Sequence, residues 1–314
     1  MTARDGIEKV LYDVSKELGR GAGRRVGHLR RKRLEEPLPS RRRILDVIEH
    51  LRADLFPGYF GRDDCPRGAV FHISASLAGA QRILSEQIRR AVCFSCRRHG
   101  SCASCGYDSN DIVAAFLKTL PRIQELLELD VQAAYNGDPA ATSPAEAIFC
   151  YPGIMAIANQ RIAHELYNLK VPLIPRMITE NSHSATGIDI HPGARIGSRF
   201  FIDHGTGVVI GETATIGSKV RIYQGVTLGA KNFPLDKGGN PVKGLKRHPD
   251  IEDNVVIYAG AAILGPVRVG RNSIIGGNVC LTKSVPPNSK VVQGSARGGR
   301  DLNEISAAVK AKQR

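Results

Sequence analysis

Apolar residues recur every six positions through the C-terminal half of the 314-residue chain. An α-helix has a period of about 3.6 residues and does not accommodate this spacing. A six-residue period is typical of a parallel β-helix, in which three short sides make one coil. We expect about four coils around a continuous apolar column. The recurring residues are Ile190, Ile196, Ile202, Ile210, Ile216, Ile222, Leu228, Ile251, Ile257, Ile263, Val269, Ile275 and Leu281.

The residues before this repeat follow helical periodicity. Apolar positions three or four residues apart predict helices over 41–56 and 77–92, and a third helical region over 111–135 that Pro121 divides.

A capping signal predicts a further helix. Ser143-Pro144-Ala145-Glu146 combines an N-cap, a first-turn proline and a carboxylate three residues after the cap. The helix is expected to run to about Leu169 with a break at Pro152-Gly153. Pro172 and Pro175 are expected to end the helical part.

These patterns predict an α+β protein, with an α-helical domain followed by a parallel β-helix. The expected divisions are a basic, poorly ordered lead (1–40), a helical domain (41–186), a β-helix domain (187–293) with an inserted loop (229–250), and a C-terminal tail (294–314).

The net charge of +14 is concentrated near the N-terminus. Residues 1–43 hold thirteen Lys or Arg against six Asp or Glu, which is half of the excess. Charge confined to one segment is a weak argument for a nucleic-acid partner, and we expect none. No apolar run approaches the ~18 residues of a membrane span, and the N-terminus lacks a signal-peptide pattern. A cytoplasmic protein without a membrane partner is expected.

Four cysteines form the pattern C-x2-C-x5-C-x2-C at Cys93, Cys96, Cys102 and Cys105. In a cytoplasmic protein, paired C-x2-C spacing favours a metal site, either zinc held by four thiolates or an iron–sulfur cluster. Five residues between the pairs is short for a zinc module. Reduced or redox-labile thiols at a helix turn are therefore an equal alternative.

The repeat is interrupted twice, and both interruptions carry reactive side chains. After Ile202 it slips by two residues across a segment that contains Asp203 and His204, and Asp189 lies fifteen residues before His204. With about eighteen residues per coil, Asp189 and His204 are expected near one edge on adjacent coils. A histidine whose tautomer a carboxylate fixes is the arrangement of a general base. The alternative is that Asp189 and His204 are ordinary polar residues at the corners of the coil.

The second interruption is a loop after Leu228 that ends in Arg247 and His248. An alternative hypothesis is a zinc site of the kind found in γ-type carbonic anhydrases. Its three ligands would be His191, His204 and His248. No pair of these histidines has the close spacing of a typical metal site. The base hypothesis is therefore preferred.

Four segments together resemble the serine O-acetyltransferases, the hexapeptide-repeat enzymes of cysteine biosynthesis. They are G-I-D-I-H-P-G-A (187–194), D-H-G-T-G-V-V-I-G-E-T-A (203–214), Q-G-V-T-L-G (224–229) and R-H-P (247–249). The similarity extends over roughly 138–294. It implies a left-handed β-helix, a homotrimer or dimer of trimers, and active sites between neighbouring subunits.

The resemblance implies a role for each matching residue. His204 is expected to be the general base for the serine hydroxyl, and Asp189 the carboxylate that supports its imidazole. Asp138 and Asp203 match residues that hold the serine amino group, and Arg247 and His248 match residues near its carboxylate. Direct attack on acetyl-CoA then gives O-acetylserine and CoA.

The co-substrate and an inhibitor are also implied by the resemblance. The pantetheine arm of acetyl-CoA is expected to pair with backbone at Ala259 and Gly277, and Lys283 is expected to meet the nucleotide phosphates. Free L-cysteine differs from serine by sulfur in place of oxygen, so it is expected to be a competitive feedback inhibitor.

The chain departs from the family pattern after Gly229 and near its end. The loop is longer than in compact members, and the segment 294–299 lacks the usual proline motif of the last coil. The chain ends in Arg314, whereas members that dock into cysteine synthase end in isoleucine, so that complex is expected to be absent or to use another surface. An acetyltransferase for another hydroxyl, such as that of a sugar, is the alternative activity.

Overall fold

The computed structural model describes residues 3–21, 37–60, 69–95 and 108–293. Its helices are α1 (Ala3–Gly21), α2 (Arg41–Leu55), α3 (Ala69–Ser95), α4 (Ser109–Leu117), α5 (Leu120–Gly137), α6 (Pro144–Cys150), α7 (Pro152–Asn168) and α8 (Ile174–Thr186). Its strands are β1 (Asp189–Ile190), β2 (Arg195–Ile196), β3 (Phe201–Ile202), β4 (Val209–Ile210), β5 (Thr215–Ile216), β6 (Arg221–Ile222), β7 (Thr227–Gly229), β8 (Asp250–Ile251), β9 (Val256–Ile257), β10 (Ala262–Leu264), β11 (Arg268–Val269), β12 (Ile274–Ile275), β13 (Cys280–Leu281) and β14 (Lys290–Val291). None of the described helices is long and apolar enough to span a bilayer.

The helices that periodicity predicts are present, with α4 and α5 meeting beside Pro121 as expected. Ser143 caps α6 by accepting the backbone N–H of Glu146 at 3.2 Å. The Glu146 carboxylate accepts hydrogen bonds from the N–H and hydroxyl of Thr142. In a capping box it would accept the N–H of Ser143, the next residue.

The expectation that prolines end the helical part at Pro175 is wrong. Pro175 lies in the first turn of α8, where a missing N–H breaks no hydrogen bond. The helix instead ends at Gly187, whose left-handed φ of 71° suits a C-cap, and β1 comes directly after it.

The β-helix has three parallel sheets, which form its faces. Face A contains β1, β4, β7, β10 and β13; face B contains β2, β5, β8 and β11; face C contains β3, β6, β9, β12 and β14. Every residue of the six-residue pattern lies in a strand, and all except the half-buried Ile196 are buried. The hydrophobic period therefore gives both the strands and the core.

The β-helix has the expected four coils and one further, incomplete coil, because faces A and C have five strands each and face B has four. The strand β14 was missed since Val291 comes ten residues after Leu281, with Pro286 and Pro287 between them. On face B of this last coil, Val285 forms only a bridge to Val269. The inserted loop lies between β7 and β8, within one residue of the expected bounds.

The helical domain is attached to the first coil through buried polar groups. Arg161 on α7 pairs with Asp130 on α5 at 2.8 Å, and the two side chains are 5% and 0% exposed. The Arg161 guanidinium also donates to the carbonyls of Ile196 and Gly197, and Asp130 accepts the N–H of Phe200. Burial raises the pKa of Asp130 to about 6, although Arg161 opposes that shift. These contacts fix α5 and α7 against the β-helix.

Candidate active site

The two-residue slip is a bulge made of His204 and Gly205 at the edge where face C turns into face A, called the CA edge (203–208, 223–226, 258–261 and 276–279). Asp203 donates its backbone N–H to the next coil at 2.9 Å, and Thr206 accepts one from that coil at 2.9 Å. The two coils therefore stay in register before and after His204 and Gly205, which are extra residues relative to the next coil.

The bulge turns the imidazole of His204 away from the coil. His204 has a left-handed φ of 56°, which costs a non-glycine residue roughly 1–2 kcal/mol, and its side chain is 70% exposed. At Gly205 (φ 87°), an added Cβ would lie 2.4 Å from a methyl carbon of Ile188, so only glycine fits. Strained backbone of this kind is found at functional sites because the surrounding fold holds it in place.

One carboxylate lies within ion-pair range of the imidazole, since the Asp203 Oδ1 is 3.6 Å from His204 Nδ1. A second carboxylate, Asp138 of the helical domain, interacts with His204 electrostatically. The pKa of Asp138 is lowered, chiefly by hydrogen bonds from the Tyr151 hydroxyl and the Ala140 N–H, and to a smaller degree by the charge of His204.

Asp189 begins β1 on the coil before the bulge. It lies next to Ile188, whose side chain packs under Gly205, so Asp189 and His204 flank the same edge as expected. The ion-pair contact of the imidazole is with Asp203. The role of Asp189 as the supporting carboxylate stays a prediction.

The other predicted substrate residues lie at the edge where face A turns into face B, called the AB edge (191–194, 211–214, 230–249, 265–267 and 282–284). Thr213 organises them, because its hydroxyl accepts the backbone N–H groups of Arg247 and His248 at 3.0 and 3.1 Å. The loop that leaves the coil after β7 is thus tied back at its end.

His248 is held as a neutral imidazole. Its Nδ1 accepts the N–H of Thr213 at 3.1 Å and lies 2.8 Å from the Thr213 hydroxyl. Burial, and then the Arg247 guanidinium, lowers the pKa of His248 to about 4. The ring packs on Gly211, where an added Cβ would lie 2.1 Å from it. With Nδ1 accepting, the proton is on Nε2, so His248 donates a hydrogen bond at neutral pH.

Arg247 is positioned by a carboxylate that sequence reasoning missed. Its Nη2 lies 2.5 Å from Glu212 Oε2, and the Tyr167 hydroxyl donates to Glu212 Oε1 at 2.9 Å. Burial opposes ionisation of Glu212, but the bonds from Arg247 and Tyr167 leave its pKa lowered. Glu212 lies within the G-E-T-A part of the 203–214 motif, so the motif contained the signal.

His191 also lies at the AB edge, where its Nδ1 accepts the N–H of Gly193 at 3.0 Å. Burial and the nearby Arg176 lower its pKa. His204 lies at the CA edge, so the alternative of three zinc-binding histidines is wrong within one chain. Among the residues that the structure describes, no group of three or more His, Cys, Asp or Glu is arranged to hold a metal ion.

The predicted substrate residues of one chain fall into two groups. One group lies at the CA edge and the other at the AB edge, and strand β4 of face A separates them. These two groups are called half-sites below.

The expected acetyl-CoA residues divide in the same way. Ala259 and Gly277 lie on successive coils of the CA edge, where an added Cβ on Gly277 would lie 3.2 Å from the Ala259 carbonyl oxygen. Lys283 comes after β13 and lies at the AB edge. Ala259 and Gly277 thus share the CA edge with His204, whereas Lys283 of the same chain lies at the other edge.

Of the four clustered cysteines, only Cys93 lies in the described part of the chain. It is near the end of α3, is 8% exposed and is disulfide-bonded. Cys96, Cys102 and Cys105 lie outside the described residues. Both the zinc or iron–sulfur hypothesis and the alternative of reduced or redox-labile thiols stay predictions.

Comparisons with known proteins point to one family. The family model described as bacterial transferase hexapeptide (six repeats) matches residues 248–283. A plasmid serine acetyltransferase of Synechococcus elongatus is 52% identical over 266 residues, which are 83% of this chain and 83% of that protein. A serine acetyltransferase of Mycobacterium tuberculosis is 50% identical over 163 residues, which are 52% of this chain and 67% of that protein.

Solved structures show the same architecture of helices followed by a left-handed β-helix. Serine acetyltransferase 1 of Entamoeba histolytica in complex with L-cysteine has a TM-score of 0.66 at 38% identity, over 78% of this chain and 85% of that one. Serine acetyltransferase of Neisseria gonorrhoeae in complex with serine has a TM-score of 0.53 at 29% identity, over 81% of this chain and 97% of that one.

Proposed function

The chain belongs to the serine acetyltransferase family, and from this membership we propose that it transfers the acetyl group of acetyl-CoA to the hydroxyl of L-serine. The observation that carries the proposal is the bulge at His204, which presents an exposed imidazole 3.6 Å from the Asp203 carboxylate. The products are O-acetylserine and CoA, and the reaction belongs to cysteine biosynthesis.

His204 acts as the general base in this proposal. A serine hydroxyl is too weak an acid to ionise at neutral pH, so a base must take its proton as it attacks. The serine oxygen bonds to the thioester carbon, the carbon–sulfur bond breaks, and the proton taken by His204 passes to the departing thiolate. No covalent acyl-enzyme is needed. Asp203 at 3.6 Å, together with Asp189 on the coil before, supports the imidazole while it takes the proton.

The charged ends of serine are bound by the two half-sites. Asp138 and Asp203 bind the amino group at the CA edge. At the AB edge, Arg247 grips the carboxylate, and neutral His248 donates from Nε2. Glu212 keeps the guanidinium in place and Thr213 keeps the imidazole in place. A sugar offers no charged groups for these residues, so an amino-acid acceptor is preferred.

We propose that the complete site forms between neighbouring subunits of a homotrimer, because the half-sites of one chain lie at opposite edges of face A. The CA edge of one subunit then faces the AB edge of the next. Ala259 and Gly277 place the pantetheine arm along the CA edge and point its thioester toward His204. A lysine at the AB edge, Lys283, meets the nucleotide only if the neighbouring subunit supplies it.

L-cysteine binds at the serine site in this proposal, since it carries the same charged ends. It competes with serine and thereby provides feedback inhibition. Raising cysteine is expected to increase the apparent KM for serine without lowering the maximal rate at saturating serine. A lowered maximal rate with an unchanged KM for serine would place cysteine elsewhere.

The test is release of CoA from acetyl-CoA with serine, homoserine or glucose as acceptor. Wild-type protein is expected to prefer serine, and His204→Ala is expected to lower kcat by about 100-fold or more. His50→Ala is a matched control, because that histidine is exposed on α2 and lies at neither edge. Activity on glucose alone, or full activity of His204→Ala, would overturn the proposal.

A further inference from the structure

Both oxygens of the Asp138 carboxylate are already held by groups of the helical domain. The Tyr151 hydroxyl donates to Oδ2 at 2.6 Å, and the Ala140 N–H donates to Oδ1 at 2.8 Å. Each oxygen keeps a second acceptor site, because a carboxylate oxygen accepts two hydrogen bonds. The remaining acceptor sites therefore have fixed directions.

The local sequence explains why Tyr151 reaches this carboxylate. Tyr151 is the extended residue (φ −84°, ψ 118°) between α6 and α7, and Pro152 begins α7 directly after it. At Gly153, an added Cβ would lie 2.5 Å from the carbonyl oxygen of Ile202. Only glycine lets the start of α7 touch β3 there. The turn is thus pressed against the coil one residue before Asp203.

A second glycine brings Asp138 to the same place. Gly137 ends α5, and an added Cβ there would lie 2.7 Å from the Arg221 guanidinium and 2.7 Å from the Phe201 ring on face C. Asp138 is the C-cap of α5, so no helical turn restrains its side chain on the far side. The Tyr151 hydroxyl supplies that restraint.

The charges around Tyr151 keep it protonated. Its pKa is raised, first by the hydrogen bond to Asp138 and then by burial, with Asp203 and Glu146 adding smaller effects. The phenol is therefore a hydrogen-bond donor at neutral pH. Its partner Asp138 stays ionised, as recognition of an ammonium group requires.

We propose that Tyr151 is a positioning residue for serine, whose hydroxyl orients the Asp138 carboxylate toward the substrate amino group beside His204. This inference rests on the proposed function and adds to it a residue of the helical domain. It makes the turn between α6 and α7 part of amino-group recognition, although Tyr151 itself does not touch the reacting atoms.

The test is Tyr151→Phe, which removes one oxygen and keeps the ring. A hydrogen bond to a charged group corresponds to about a tenfold change in binding, so the KM for serine is expected to rise about tenfold. The KM for acetyl-CoA is expected to stay within about twofold, because that molecule does not meet Asp138. The inhibition constant for cysteine is expected to weaken as much as the KM for serine, since both carry the amino group.

Tyr59→Phe is the matched control, since Tyr59 packs on Phe149 of α6 with its ring and lies outside the site. It is expected to leave both KM values unchanged. A general loss of packing at Tyr151 would lower kcat and the thermal midpoint and would affect both substrates. A selective change in serine and cysteine affinity separates the positioning role from a structural one.

Asp138→Asn, alone and with Tyr151→Phe, completes the experiment. If Tyr151 acts through Asp138, adding Tyr151→Phe to Asp138→Asn raises the KM for serine by less than about twofold. Fully additive effects, or an unchanged KM in Tyr151→Phe, would overturn this inference. Wild-type protein that fails to acetylate serine would instead overturn the proposed function, so the two failures are distinguishable.

Discussion

Mixing two inactive variants tests whether the active site is shared between subunits. His204→Ala removes the base at the CA edge, and Arg247→Ala removes the carboxylate grip at the AB edge. Each variant alone is expected to lose about 100-fold in kcat/KM for serine, from loss of base catalysis in one and of a charge-assisted pair in the other. Neither change affects the buried column, so both chains are expected to assemble.

Sharing of the site between chains determines the size of the recovery. Because the half-sites of one chain lie at opposite edges of face A, the wild-type histidine of one chain is expected to work only with the wild-type arginine of its neighbour. In randomly mixed trimers that carry both variants equally, about a quarter of the sites have both wild-type residues. Activity is therefore expected to return to about a quarter of wild type.

The assay uses two tags and a control mixture. Chains with different affinity tags are produced separately, refolded together and assayed for CoA release, with the chain ratio determined by mass spectrometry. In the control, wild type is mixed with the double variant His204→Ala/Arg247→Ala. A shared site leaves about a quarter of the activity in that mixture, whereas a site within one chain leaves about half. No recovery in the first mixture, together with half in the second, would refute the shared site.

Three further predictions concern the groups that hold the half-sites in place. The pKa of His248 is lowered from 6.5 to about 4, so this group contributes stability above pH 6.5 that is lost as the pH falls to 4. Urea unfolding is expected to show that its contribution to the free energy of unfolding falls by about 3 kcal/mol over that range. The loss is expected to be much smaller in His248→Asn. Gly211→Ala is expected to displace the His248 ring, which lowers the free energy of unfolding by about 1–3 kcal/mol and weakens the affinity for serine. Gly79→Ala is the control, because an added Cβ there in α3 meets nothing within 4 Å. In the same unfolding and kinetic measurements, this control is expected to leave the stability unchanged or to raise it and to leave the kinetics unchanged. Arg161→Met leaves Asp130 buried without its partner and is expected to lower the free energy of urea unfolding by about 3–5 kcal/mol. Arg122→Met, whose pair with Glu125 is exposed, is expected to lower it by less than about 1 kcal/mol. Equal effects would mean that the buried pair does not hold the domains together.

Most of the β-helix could be predicted from the sequence, because its period is local. Each coil repeats a short side with one inward aliphatic residue, so residues such as Ile222 and Ile257 fix both the strand and its buried face. The prediction failed at Val291, where the spacing lengthens, and at Pro175, since a proline can either end a helix or occupy the first turn of a new one. Packing of the later residues against the rest of the fold decides between these outcomes, so neither question has a purely local answer.

The candidate site was predictable only in part. The slip in the repeat identified His204, and the end of the loop identified Arg247 and His248. The sequence did not reveal that Glu212 and Tyr167 hold Arg247, because these residues are 35 and 80 positions away from it and meet only through the fold. Tyr151 was missed for the same reason, since its hydroxyl matters only once Asp138 is packed beside it.

The sequence by itself determined the coil, its apolar column and the two places where the coil is interrupted. Periodicity acts between neighbouring residues, so it is visible in the chain before folding. Only the tertiary structure decided that the interruptions lie at different edges. It also decided that Gly137 and Gly153 bring the helical domain onto face C, which allows Asp138 to interact electrostatically with His204. Those relations depend on how turns of the coil and distant helices pack in three dimensions, and no local pattern specifies such packing.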